Sequence, residues 1–262
     1  MEPRVFQIRP ETDAVFLMAQ STDMTVNLLQ LNQIKQKTVL AIGAHPDDLE
    51  YAAGITLTQL SRQNQVHLVV ATDGRWGSHQ LNYDQQQLIN ARMQEARQAA
   101  DAMQAQSIKF WHYPDLQLAR YAKQLKRRVL KTLLKLRPQI VISFDPWGRY
   151  EPYIHPDHRT LAVTVMEAVM LATLPAWLKK HKLPHQALSP KPKLWLMLPA
   201  QANAAVDISH HWPDKLALMQ LFGSQFDDDT QWNHADRMKA VFAQMGKLAG
   251  VELAENFHII HS

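Results

Sequence analysis

The sequence predicts an α/β fold with a Rossmann-like, mostly parallel β-sheet flanked by helices on both faces. Three observations point to it. Short, largely aliphatic runs such as Val39–Ile42, Val66–Ala71 and Val141–Phe144 suit strands buried on both faces of a parallel sheet. Stretches of helical period alternate with them, joined by short turns, which is the βαβ pattern. The 262 residues, 46% hydrophobic and 20% charged, are enough to bury a large core.

Residues 1–36 read as a polar, Gln-rich N-terminal extension packed on a single domain that spans 37–262. Thr38–Ala44 is the first core strand. A helix follows from Asp48, with Leu49, Ala52, Ala53, Leu57 and Leu60 near helical spacing, and Asp47 or Asp48 can cap it after Pro46. Val66–Ala71 is the next strand, closed by the turn signal Thr72-Asp-Gly74. A helix over Gln85–Gln104 leads to a strand at Ile108–Trp111. The basic helix 118–136 turns Leu125, Val129, Leu130, Leu133 and Leu134 inward and stops at Pro138, before the strand Gln139–Phe144. An apolar helix at 160–174 and a loop rich in Pro, Lys and His at 175–192 come next. Short strands at Leu194–Leu198 and Ala204–Ile208, helices at His211–Phe222 and Asn233–Lys247, and a strand at Phe257–Ile260 complete the chain. No Gly-x-Gly-x-x-Gly follows the first strand, so a dinucleotide-binding reading loses its main support.

The net charge of +4 is spread along the chain. The basic cluster Lys123–Lys135 reads as the solvated face of one helix, and no nucleic-acid partner is expected. The apolar stretch Leu161–Leu178 is broken by Glu167 and Pro175, so no membrane span is expected. The start lacks the pattern of a signal peptide. The absence of cysteine removes thiolate ligands and fits a reducing compartment, so a cytoplasmic location is expected.

Two motifs carry the chemistry. The first strand ends in His45-Pro-Asp-Asp48, and the fourth leads through Asp145-Pro-Trp-Gly to His155-Pro-Asp-His158. In open α/β sheets such strand ends are where sites form. Each motif alone could be a helix cap with local histidines. Together they offer two imidazoles and a carboxylate, a common donor set for catalytic zinc that leaves a position for water. Two groups, Asp47 and His155, are left over to serve as base and as acid or oxyanion partner in metal-assisted amide hydrolysis. Asp157 could orient His155 and keep it charged at neutral pH. Nitrogen and carboxylate ligands also accept Fe2+, Co2+ or manganese.

Ala44-His-Pro-Asp-Asp-Leu-Glu50 and His155-Pro-Asp-His-Arg159 together resemble the LmbE/PIG-L-like zinc N-deacetylases. The resemblance extends from about residue 37 to 257. Weaker markers are Thr72-Asp-Gly74, Arg92-Met-Gln-Glu-Ala96, Val206-Asp-Ile-Ser209 with Lys215, Ser224-Gln225, and Ala254-Glu-Asn-Phe257. It implies His45, Asp48 and His158 as zinc ligands, Asp47 as general base, and His155 with its partner Asp157 as the charged acid or oxyanion group. It further implies Tyr153 as a carbonyl-polarising group, and Arg92 and Asp115 as substrate contacts. An Arg92–Glu95 surface ion pair is the alternative for Arg92. The expected substrate is a small N-acetylglucosamine-type conjugate, which loses its acetyl group. The alternatives are a metal-dependent esterase or amidase on a non-sugar substrate, and a non-catalytic sugar-binding protein. A homo-oligomer is compatible with this reading. The chain departs from the resemblance in keeping one glycine in Tyr51-Ala-Ala-Gly54 and in the bulky segment Trp147–Tyr153, whose aromatic rings could stack on a sugar.

Overall fold

The computed structural model describes residues 26–78, 80–148, 155–226 and 234–261. Of the expected N-terminal extension, residues 1–25 lie outside this set. Its remainder contributes the short strand β1 (Asn27–Leu28), a 3-10 turn at Leu31–Gln33, and the buried Leu31.

The core alternates as the sequence pattern requires: β2 (Thr38–Gly43), α1 (Asp48–Ser61), β3 (Gln65–Thr72), α2 (Gln85–Ala102), β4 (Ser107–Tyr113), α3 (Ala122–Leu136), β5 (Ile140–Phe144) and α4 (Pro156–Leu171). Beyond it come α5 (Pro175–Lys180), β6 (Lys193–Met197), β7 (Ala204–Asp207), α6 (Trp212–Gln220), α7 (Gly223–Phe226), α8 (His234–Ala249) and β8 (Ala254–Ile260). The strands form one 8-stranded sheet in the order β1-β7-β8-β6-β5-β2-β3-β4. Its central pairs are parallel, and β8 runs antiparallel between β6 and β7. The mostly parallel sheet is therefore present, with an antiparallel insertion near one side.

Chain order places the site. From β2 the chain steps outward to β3 and β4, then returns to β5 on the other flank of β2. The carboxyl ends of β2 and β5 thus meet at the switch point where open α/β sheets form their crevice. The two strands are in register, Val39 beside Ile140 and Ala41 beside Ile142. The buried Ser143 hydroxyl adds a bond to the Ile42 carbonyl at 3.0 Å. Every residue of β5 and all but the first of β2 are buried, because helices cover both faces. Helix α3 packs on α4, and α1 packs on α6.

Among the boundaries that differ from the sequence reading, two have identifiable reasons. Helix α4 begins at Pro156 rather than at 160, so the second motif is the helix start itself. Proline at this first position needs no N–H partner and presets φ, and the His155 imidazole accepts the Asp157 N–H as a cap. The stretch expected as a loop over 175–192 opens with α5, again with proline in its first turn.

Leu40 is fully buried at the centre of β2. Leu40→Ala is expected to lower stability by about 2–5 kcal/mol in urea unfolding. Leu81→Ala, at a position 99% exposed, should change it by no more than about 0.5 kcal/mol.

Candidate active site

The turn after β2 is built by its own carboxylate. Asp48 Oδ2 accepts the N–H groups of Ala44 and His45 at 2.9 and 2.6 Å. This leaves Asp48 Oδ1 facing His158 Nε2 at 3.1 Å, while Oδ2 also lies 3.4 Å from His45 Nδ1. His45 Nδ1 and His158 Nε2 are 3.2 Å apart. His45 after β2, Asp48 at the start of α1 and His158 on α4 therefore form a triangle of three groups with closest approaches of 3.1–3.4 Å, Asp48 meeting His45 through Oδ2 and His158 through Oδ1. A tetrahedral centre with bonds of about 2.0–2.1 Å sets its ligand atoms about 3.3 Å apart, so the triangle matches one face of such a centre.

The surrounding groups aim these donors. His45 Nε2 lies 2.9 Å from Asp115 Oδ1, which assigns the proton to Nε2 and turns the Nδ1 lone pair towards His158 and Asp48. Asp115 is itself held, accepting the Trp76 N–H at Oδ2 and donating its own N–H to Asp73 Oδ1. Asp157 accepts the Leu116 and Leu118 N–H groups at 2.7 and 3.0 Å, and its Oδ2 lies 3.6 Å from His45 Nε2. The Phe144 ring stacks on His158, with centroids 4.0 Å apart and planes 10° from parallel.

Two further groups of donor atoms lie close enough to share a cation: His45, His155 and His158, and His45, Asp115 and Asp157. In the second group both aspartates already accept backbone N–H bonds and meet His45 through the nitrogen opposite the triangle. That geometry suits orientation of His45. In the first, His155 Nδ1 accepts the Asp157 N–H at 3.3 Å, so its free nitrogen is Nε2.

Asp47 adopts φ 111°, a left-handed conformation that costs a non-glycine residue about 1–3 kcal/mol. Arg92 holds it there. The buried guanidinium donates to Pro46 O at 2.7 Å, to Gly74 O at 2.8 Å and to Asp47 Oδ2 at 2.9 Å. Arg92, expected to touch substrate or to pair with Glu95 on the surface, is instead 3% exposed and committed to the turn. Glu95 binds the N–H and hydroxyl of Ser224.

The electrostatics follow from burial and crowding. Burial alone would lower the His45 pKa, but Asp48, Asp115 and Asp157 outweigh it and raise it well above the usual imidazole value. Burial would raise Asp48, and His158 and His45 instead hold it well below the carboxylate range. Asp115 is likewise brought down to about 2, its burial overcome by the hydrogen bond to His45. Asp47 is pushed up to about 6 by burial, against the pull of Arg92. Burial, with His45 and His158 beside it, lowers His155 to about 4. His155 is thus neutral near pH 7, not charged as expected. Asp157 meets it through a backbone N–H, because the Asp157 carboxylate is spent on residues 116 and 118. Tyr153 and Tyr150 lie outside the described residues.

Three buried carboxylates around two buried imidazoles draw positive charge into the triangle, and the raised His45 pKa reports that demand. The donor set therefore fits a divalent cation in geometry and in charge. The turn beside it is pinned by Asp145, which accepts the Trp147 and Ala200 N–H groups. A cavity of about 420 Å³ opens there, lined by Trp147, Met166, Gln201 and His258 among others. Another cavity, about 440 Å³, is at the amino ends of β2, β5 and β6, away from the histidines, and takes no part in this site. Phe144 and Asp73 escaped the sequence reading as site residues, since a ring at a strand end and an aspartate in a turn look like ordinary structure.

Comparison with known proteins adds independent evidence. A family model described as PIG-L, GlcNAc-PI de-N-acetylase, matches residues 40–169. The diacetylchitobiose deacetylase of Thermococcus kodakarensis is 28% identical over 229 residues, covering 86% of this chain and 83% of that protein. The structure of the N,N'-diacetylchitobiose deacetylase from Pyrococcus horikoshii, complexed with its inhibitor MPG, superposes with a TM-score of 0.77 at 29% identity, covering 86% of this chain and 84% of that one. The 4-carboxy-2-hydroxymuconate hydratase GalB from Pseudomonas putida shares the fold, with a TM-score of 0.70 at 20% identity over 87% of this chain and 97% of its own. Among the described residues no helix is long and apolar enough to cross a membrane. Both histidine motifs lie inside the matched stretch, and residues 40–169 of the chain carry a PIG-L family domain.

Proposed function

We propose that this protein is a zinc-dependent N-deacetylase acting on an N-acetylglucosamine-type conjugate, a chitobiose-like disaccharide being the first to try. The observation that carries the reading is the triangle of His45 Nδ1, Asp48 and His158 Nε2, with Asp47 adjoining it. The activity resides in one domain over 37–262. Of the 1–36 extension, the described part packs on it through the parallel pairing of β1 with β7.

A divalent metal held by His45, Asp48 and His158 supplies Lewis acidity to a water molecule and to the acyl oxygen. The chain's own residues do the rest. Asp47, with its pKa near 6, is ionised at neutral pH yet basic enough to accept a proton from the attacking water. The water oxygen bonds to the carbonyl carbon. The developing oxyanion receives a hydrogen bond from the neutral His155, whose Nε2 carries the proton because Nδ1 accepts the Asp157 N–H. The carbon–nitrogen bond breaks as Asp47 passes its proton to the departing amine. Acetate and the free amino sugar leave. Asp115 and Asp157 keep His45 in its ligating tautomer, and Arg92 keeps Asp47 at its angle. The cavity lined by Trp147 suits the remote part of the substrate, since aromatic faces and a few polar groups hold sugars and other small ligands.

Two outcomes test this reading. Purified without chelator, the wild type should hold about one zinc per chain and release acetate from N,N'-diacetylchitobiose. His158→Ala should lose both, as measured by metal analysis and an acetate assay. An O-acetylated sugar run in parallel separates amide from ester cleavage. Asp47→Asn should keep the metal and lose about 10²–10⁴-fold in kcat, the range for removal of a general base. Full turnover in that variant would remove Asp47 from its role.

A further inference from the structure

We infer that Lys215 and Glu255 are positioning residues that set the metal-binding turn by splicing a broken helix. The inference rests on the deacetylase reading of the site and deepens it. Helix α1 is discontinuous: Ala53 sits at φ −147° and ψ 19°, outside the helical region. In an unbroken helix the carbonyls of Glu50 and Tyr51 would accept from the N–H groups of residues 54 and 55. Here the Lys215 ammonium takes both carbonyls, at 3.0 and 2.6 Å. On the other side of the break, Glu255 accepts the N–H groups of Ile55 and Thr56 at 3.0 and 2.8 Å, and the Thr56 hydroxyl at 2.6 Å. A Lys215 Nζ–Glu255 Oε1 contact of 2.5 Å joins the two halves of the splice.

Both side chains are fully buried. Phe242 lies 4.5 Å from the ammonium, and Gly54 leaves room for α6, since a Cβ there would stand 2.6 Å from Leu218 Cδ2. A buried ion pair is weak evidence for stability, because desolvation offsets most of the attraction. What this pair does provide is direction. It divides α1 into a first turn, carrying Asp48 and following the strained Asp47, and a second segment packed on the sheet. The angle between them decides whether the Asp48 carboxylate reaches His158. Lys215 comes from α6 and Glu255 from β8, both beyond the stretch 40–169 that the family model matches. The C-terminal part of the chain thereby sets the geometry of a site whose donors all lie upstream.

The test compares Glu255→Gln and Lys215→Met with Leu133→Ala, a core change in α3, remote from α1. Three quantities are read: thermal stability, amide hydrogen exchange of the metal-free protein over residues 44–52, and zinc affinity by chelator competition. Positioning predicts at least tenfold faster exchange over 44–52 and at least tenfold weaker zinc binding in the pair variants. Exchange in β3 and β4 should stay unchanged, and Leu133→Ala should lose thermal stability without either effect. If the pair variants differ from wild type only as Leu133→Ala does, the inference is overturned. Should Lys215→Met fail to fold, Glu255→Gln, which keeps the shape and one acceptor, decides. A wild type that binds no zinc would sink the deacetylase reading, while the exchange comparison would still judge the splice.

Discussion

The parallel pairing of β2 with β5 is the constraint on which everything else depends. It places two strand ends side by side, though the residues that follow them are far apart in sequence. A slip of one residue in that register would exchange the two buried faces of β5 and carry the second motif away from the first. The ladder from Val39–Ile140 to Ala41–Ile142 and the Ser143–Ile42 bond resist the slip. The site therefore draws its precision from a rigid sheet, and the short turns need only aim donors across a few ångströms.

The second organising element is charge. Burying Asp48, Asp115 and Asp157 together is costly unless positive charge joins them. Without a cation, His45 supplies some of it by proton uptake at Nδ1; a divalent cation would take the place of that proton and supply more. The same crowding separates the two groups left for chemistry. Asp47 rises towards neutrality and His155 falls to about 4, which in the proposed mechanism suits one to act as base and the other as a neutral hydrogen-bond donor. In the proposed reading, Arg92, Asp115 and Asp157 act through Asp47 and His45, as outer residues tune a metal site.

The architecture was legible because aliphatic runs and helical spacing record burial directly. The i, i+3 spacing of His45 with Asp48 and of His155 with His158 was enough to expect convergence, given strands on one edge. Other roles depend on tertiary partners that the local sequence cannot carry. Nothing around Asp157 says that its carboxylate turns to the backbone of 116 and 118 and away from His155. Arg92 looks like a surface helix residue until the Pro46 and Gly74 carbonyls are placed beside it. Lys215 and Glu255 were visible only as markers of resemblance, because the helix break they bridge has no local signal: Tyr51-Ala-Ala-Gly54 reads as ordinary helix. The start of α4 was misplaced because the motif itself supplies both the cap and the first turn.

The central claim is the identity of the three donors, since His45 and His158 could be joined by Asp48 or by His155. A crystal structure of the zinc-loaded protein, with anomalous differences collected at the zinc edge, answers this directly. The account predicts one strong peak within about 2.0–2.2 Å of His45 Nδ1, His158 Nε2 and an Asp48 oxygen, with His155 outside bonding distance. A peak bonded to His45, His155 and His158, with Asp48 left on the Ala44 and His45 N–H groups alone, would contradict it and remove His155 as the oxyanion donor.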